Sequence, residues 1–213
     1  MYKNIILFGN SGVGKSYIAD KLVKNLGYNK FHTAYYVRKF LYKTILNTYL
    51  DYNDEIDKNL ETRIFYKGKN IHELLLNSVD LVHNNKHNQD IFNQLNISYI
   101  SKYNPVIIPG MRIKNNYKII KKYLNDNYLN ILIINNNSKR SKEMYDSNIE
   151  DIIESDNYYV IDNTQLLDTE DLISALNKIN IIQYKKIEFT NIYNSNTFLE
   201  YKFNEILEKK LLK

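Results

Sequence analysis

Gly9-Asn10-Ser11-Gly12-Val13-Gly14-Lys15-Ser16 constrains the fold of this chain more than any other stretch. It matches G-x-x-x-x-G-K-[ST], the P-loop pattern in which backbone N–H groups close around phosphate oxygens. The pattern carries weight only between a strand and a helix, and both are legible here. Ile5-Ile6-Leu7-Phe8 is an apolar run suited to a strand buried on both faces. Downstream, Ile18, Ala19, Leu22, Val23 and Leu26 recur at helical spacing, and Gly27 supplies a left-handed stop. Gly9, Gly12 and Gly14 free the backbone to turn its amides inward at a helix N-terminus. Lys15 is placed for the β- and γ-phosphates and the Ser16 hydroxyl for Mg²⁺. Gly9 through Ser16, with Asn10, Ser11 and Val13 contributing main chain, therefore form the expected binding loop, with ATP and Mg²⁺ as its expected ligands. A glycine-rich turn that binds nothing would leave the flanking strand and helix unexplained.

Composition narrows the remaining classes. A chain of 213 residues suits one α/β domain with a small inserted or appended part. Its formal net charge of +5 favours anionic ligands, which nucleotides satisfy as well as nucleic acid does. No basic run or RGG-like segment points to nucleic acid. With 0 cysteines, disulfides, thiolate metal sites and cysteine catalysis are excluded. No apolar run approaches the roughly 20 residues of a membrane span. The first apolar run is read as a strand and not as a signal peptide, so a cytoplasmic protein is expected. Asn, Ile, Lys and Tyr, all with AT-rich codons, are heavily used, so the 20 tyrosines are read as a coding bias.

Along the chain, a helix is expected over about 35–49, with Val37, Leu41, Ile45 and Leu46 on one face. Thr33 precedes it, five residues before Arg38. An arginine there makes chemical sense, because its planar fork matches two phosphate oxygens, although Arg38 also reads as an ordinary surface helix residue. From Asp51 to Asn70 the sequence turns polar. Its carboxylates fit no metal-ligand spacing and read as a solvated helix face or a mobile loop. His72, His83 and His87 lack zinc-site spacing. Helices are expected over 71–83, 90–103 and 115–124, and buried strands over 105–108 and 130–134. A short helix at 148–154, a last parallel strand at 158–163, a helix at 168–179 and an amphipathic tail helix at 197–212 complete the reading. Ligands bind beyond the carboxyl ends of such strands, which puts the P-loop, Arg112 and the Lys139-Arg140 loop at one sheet edge.

The P-loop, the Thr33-x-x-x-x-Arg38 segment, the Leu74-Leu75 to Val79-Asp80-Leu81-Val82 helix, Gly110-x-Arg112, the basic loop, Glu150 and Asp162-Asn163 occur in an order similar to P-loop deoxynucleoside monophosphate kinases of the phage and viral type. The resemblance covers about residues 3–178. It implies a P-loop NTPase three-layer α/β/α fold, with a mostly parallel sheet, a lid loop at about 135–147 and a C-terminal helical tail. The kinase domain would span 1–179 and its acceptor-binding part about 33–104; beyond the resemblance, the chain changes character from Asn180, and 180–213 reads as a packing or dimerisation extension. The resemblance also implies transfer of the ATP γ-phosphate to a (deoxy)nucleoside monophosphate. Lys15, Arg112 and Arg140 would be catalytic, with Lys139 second choice in the lid. Thr33, Arg38 and Arg112 would hold the acceptor, and Ser16 the metal.

The sequence departs from that pattern in two places. Pro109-Gly110-Met111-Arg112 stands where the family has an Asp-x-Arg segment, so the strand-end carboxylate is missing; Asp51, Asp54 or Asp80 are the candidate substitutes. His83 stands where the family tends to have arginine. Two alternatives stay open: a P-loop kinase for another small acceptor, such as a nucleoside or dephospho-coenzyme A, and a degenerate nucleotide-binding switch. A GTPase is disfavoured because no N-K-x-D guanine motif is present.

Overall fold

Ile5, Ile6, Leu7 and Phe8 leave their segment no face for water, and Asn4–Phe8 (β1) is accordingly buried along its whole length. The structure, a computed structural model of the chain, describes residues 3–45, 64–66, 68–125, 127–135, 149, 152, 158–165, 170–171, 174, 201 and 203–208. The chain divides into two units, Met1–Thr33 with Tyr99–Phe189, and Ala34–Ser98 with Thr190–Lys213.

The first unit is built on a five-stranded sheet in the order β2-β5-β1-β6-β7. Its other strands are Asn29–Lys30 (β2), Val106–Pro109 (β5), Tyr128–Ile134 (β6) and Tyr159–Asp162 (β7). Every pairing in it is parallel. β1 lies centrally, with Ile6 beside Ile108 of β5 and Asn130 of β6. The chain leaves β1 and returns on either side of it, so the carboxyl end of β1 is a topological switch point, where open parallel sheets bind ligands.

Helices cover both faces. Lys15–Leu26 (α1) presents Ile18, Ala19 and Leu22 to a core that includes Ile5, Leu7, Ile107, Ile131 and Ile161. It stops as expected at Gly27, whose left-handed backbone donates its N–H to Val23 O. On the opposite face, Tyr117 of Lys114–Leu124 (α5) meets the Phe8 ring edge-on, with centroids 5.5 Å apart. The Tyr117 hydroxyl accepts from Asn130 Nδ2 at 2.8 Å, which satisfies a polar group inside the sheet. Asn4 is buried at the head of β1 and bonds both ways. Its Nδ2 donates to Asn127 O at 3.1 Å, and its Oδ1 accepts from Val106 N at 2.8 Å. A central strand feeding a glycine loop and a helix, within a parallel sheet of this order, is the P-loop NTPase α/β fold that the sequence led us to expect.

The second unit contains Tyr35–Ile45 (α2), the hairpin of Ile64–Tyr66 (β3) with Lys69–Asn70 (β4), Ile71–His83 (α3) and most of Lys86–Tyr103 (α4). α3 spans the expected residues and opens on a reciprocal cap. Asn70 Oδ1 accepts from Glu73 N at 2.9 Å, and Glu73 Oε2 accepts from Asn70 N at 2.8 Å. Leu74, Leu75 and Val82 are buried, as their spacing requires. Phe92 of α4 stacks on Phe203, within the helical stretch 203–208 of the tail, with centroids 5.5 Å apart.

Several boundaries differ from the sequence reading. α4 starts at Lys86 and not at Asp90, because Asn85 Oδ1 accepts from both His87 N and Asn88 N and nucleates the first turn. β2 and the β3–β4 hairpin had no counterpart in that reading. The Asp51–Glu61 carboxylates, most of the helices expected at 148–154 and 168–179, and the lid beyond Asn135 lie outside the described residues.

Candidate functional site

The loop after β1 is shaped by three left-handed glycines, Gly9 at φ 133°, Gly12 at 85° and Gly14 at 97°. Gly14 O then accepts from Ile18 N at 3.0 Å, which begins the α1 ladder and leaves the preceding amides to the loop. Lys15 is 8% exposed. Its Nζ donates to Gly9 O and to Asn10 O, each at 2.6 Å, so its ammonium lies over the start of the loop. Ser16 stands at the exposed N-terminus of α1.

The neighbouring strand ends complete the rim. β5 runs into Gly110, whose N–H donates to Leu7 O at 3.1 Å and holds the turn against β1. A Cβ built on Gly110 would stand 3.9 Å from Lys15 Cε, so the position that would carry the carboxylate of an Asp-x-Arg segment borders the loop lysine directly. Two residues on, Arg112 Nη2 donates to Ser11 Oγ at 3.3 Å. On the other flank β7 ends in Asp162, whose carboxylate accepts from the hydroxyl and backbone N–H of Thr164. Those two bonds, the hydroxyl's first, hold the Asp162 carboxyl below its usual range. Asn163 follows, fully buried, and its Nδ2 donates to Val13 O at 3.0 Å.

The structure thus brings together Gly9 through Ser16 and Arg112. Thr33 closes one stretch of the first unit, and Arg38 belongs to α2 of the second, where its N–H donates to Ala34 O at 3.0 Å. Lys139, Arg140, Asp51 and Asp54 lie outside the described residues, as does the Asp80 side chain. Among the described residues, no group of three or more His, Asp and Glu side chains could hold a metal ion. No described helix is long and apolar enough to cross a membrane.

Sequence reasoning missed Asn163 as a partner of the loop. The Asp162-Asn163 pair was visible at the end of the last strand, but its distance of 150 residues from Val13 hides the contact.

A solved structure of a gluconokinase from Sinorhizobium meliloti 1021 is similar to this chain, at 10% sequence identity and a TM-score of 0.41, covering 83% of this chain and 93% of that one. No protein-family model matches the sequence, and no curated protein does.

Proposed function

We propose that this chain is a P-loop phosphotransferase that binds ATP with Mg²⁺ and passes the γ-phosphoryl group to a (deoxy)nucleoside monophosphate. The observation that carries the reading is the convergence of two cations on one glycine loop: Lys15 over Gly9 and Asn10, and Arg112 on Ser11. A loop that merely turned the chain would need neither.

Triphosphate oxygens entering the loop would replace the two neutral carbonyl acceptors of the Lys15 ammonium with anionic ones, adding ion-pair attraction to each hydrogen bond. The backbone amides orient the donor, and Arg112 bridges toward the acceptor. Arg38 and Thr33 are assigned to the acceptor phosphate, and Arg140, with Lys139 second choice, to the closing lid; these assignments rest on the sequence pattern alone. Ser16 offers one hard oxygen ligand that suits Mg²⁺, leaving phosphate oxygens and water to complete its shell. Bound there, Mg²⁺ would neutralise charge on the β- and γ-phosphates.

In the reaction the bond from Pγ to the β–γ bridging oxygen breaks as a bond from the acceptor oxygen to Pγ forms. An ionised acceptor phosphate brings no proton and needs no general base, whereas a sugar hydroxyl needs one. Gly110, against Lys15, offers no carboxylate to act as such a base at that position. The same glycine favours the second reading, a nucleotide-binding switch with little transfer.

A coupled ADP-release assay with Mg-ATP against nucleoside monophosphates, deoxynucleoside monophosphates and free nucleosides separates these readings. Turnover with one or a few monophosphates, lost in Lys15→Ala with the fold intact, is expected. ATP binding without turnover would establish the switch. Full activity in Lys15→Ala would remove the loop from the reaction.

A further inference from the structure

We propose that the Asn163 carboxamide is the positioning group of the phosphate-binding loop, fixing the Val13–Gly14 peptide so that the Gly14 N–H faces the bound triphosphate. The inference rests on the nucleotide-binding reading above and adds a residue which that reading does not use.

The argument starts from the planar trans peptide. Its C=O and N–H point in opposite directions, so anchoring one aims the other. Val13 O is anchored by Asn163 Nδ2 at 3.0 Å, and the Gly14 N–H must therefore point away from Asn163. A flipped peptide would turn a carbonyl dipole toward phosphate oxygens, and glycine at 14 makes such a flip sterically cheap.

Asn163 is itself held on two sides. Its N–H donates to Ile134 O at 2.9 Å, and its O accepts from Asn135 Nδ2 at 3.1 Å, so its backbone is fixed to the end of β6. It is 0% exposed, where a hydrogen bond suffers little competition from water. Its amide also fills the space beside Gly14: a Cβ there would stand 2.2 Å from Asn163 Nδ2. The glycine of the motif and the asparagine of the last strand are thus complementary in shape. The chemistry calls for a neutral donor. A carboxylate at 163 would repel Val13 O and place a negative charge behind the phosphate cradle.

The test uses the full chain with Asn163→Leu, Asn163→Asp and Asn135→Ala. Affinities for Mg-ATP and for inorganic tripolyphosphate are measured by calorimetry, thermal midpoints confirm folding, and hydrogen exchange follows the loop amides in nucleotide-free protein. Asn163→Leu is expected to weaken both ligands by about tenfold. Asn163→Asp should weaken them more, and Asn135→Ala less. Equal losses for ATP and tripolyphosphate are the signature of a phosphate-positioning role. The amides of residues 10–16 should exchange faster in Asn163→Leu while the strands keep their protection. Unchanged affinity in a folded Asn163→Leu, or unchanged exchange in the loop, overturns the proposal. If the unaltered chain binds neither ligand, the nucleotide-binding reading falls, and the exchange of the loop amides still decides the role of Asn163.

Discussion

Replacing Gly9 with alanine tests whether the loop's geometry is enforced by the sheet behind it. An alanine Cβ would stand 2.4 Å from Ile133 O and 2.9 Å from Val13 Cγ2, at a backbone φ of 133°. Ile133 O cannot withdraw freely, because Ile133 lies inside β6 and in register with Ile161 of β7. The left-handed backbone costs an alanine about 1–2 kcal/mol. Overpacking against fixed neighbours adds about 1–3 kcal/mol. The sum is about 2–5 kcal/mol, a large part of the roughly 5–15 kcal/mol that stabilises a domain. Gly27→Ala is the control: φ is 70° there and nothing lies within 4 Å, so only the backbone term applies. For a chain of this size each kcal/mol moves the thermal midpoint by about 2–4 °C. Gly9→Ala should therefore melt about 4–20 °C below the parent and Gly27→Ala about 2–8 °C below it. Thermal melts followed by circular dichroism, supported by tyrosine fluorescence in a chain with 0 tryptophans, measure both. Equal losses in the two variants would refute the steric argument, since the close contact exists only at Gly9.

Tyr117→Phe removes the acceptor of Asn130 Nδ2 inside the sheet and should cost about 1–3 kcal/mol in urea denaturation; a loss below about 0.5 kcal/mol would mean that the bond contributes little. Asp162 has its folded pKa lowered by Thr164, so its contribution to stability is present above the unfolded carboxyl value of roughly 3.9 and is lost as pH falls through the folded value. Thr164→Ala should move the Asp162 titration up toward the unfolded value, read by NMR, and an unmoved titration would exclude the hydroxyl as the cause. For the proposed reaction, Arg38→Ala should raise the acceptor KM by about tenfold with little change in kcat, and unchanged acceptor kinetics would take Arg38 out of the site. Arg140→Ala should depress kcat by about a hundredfold while donor affinity holds, whereas equal losses in binding and rate would argue against a role confined to the transition state.

The parts of the fold written in local sequence were legible. β1, the glycine loop and α1 follow from an apolar run, three glycines and a helical period that all agree, and α3 falls on its expected residues. β2 escaped because two residues, Asn29 and Lys30, carry no alternation. Their place is set by Asn29 N donating to Pro105 O and Phe31 N donating to Ile107 O, partners far along the chain. The hairpin at 64–70 was hidden by the polar run that precedes it. At the site, the loop and Arg112 follow from motif and strand order. Asn163 does not, because its role depends on which strand borders the loop, and pairing order is a property of the whole sheet.

The amide of Asn4 gives that sheet a reference mark. It touches Asn127, ahead of β6, and Val106, at the start of β5, simultaneously, so both neighbours of the central strand are indexed to one residue. A slip of one residue in either neighbour would move its far end by about 3.3 Å and reverse its faces. Gly110 and Arg112 ride on one of those strands and Asn135 on the other, while the loop rides on β1 itself. The alignment of the glycine loop with Arg112 is thus inherited from a contact at the opposite end of the sheet, roughly 13 Å back along β1. Precision at the glycine loop is set at the far end of the sheet and reaches the loop through the spacing of the strands.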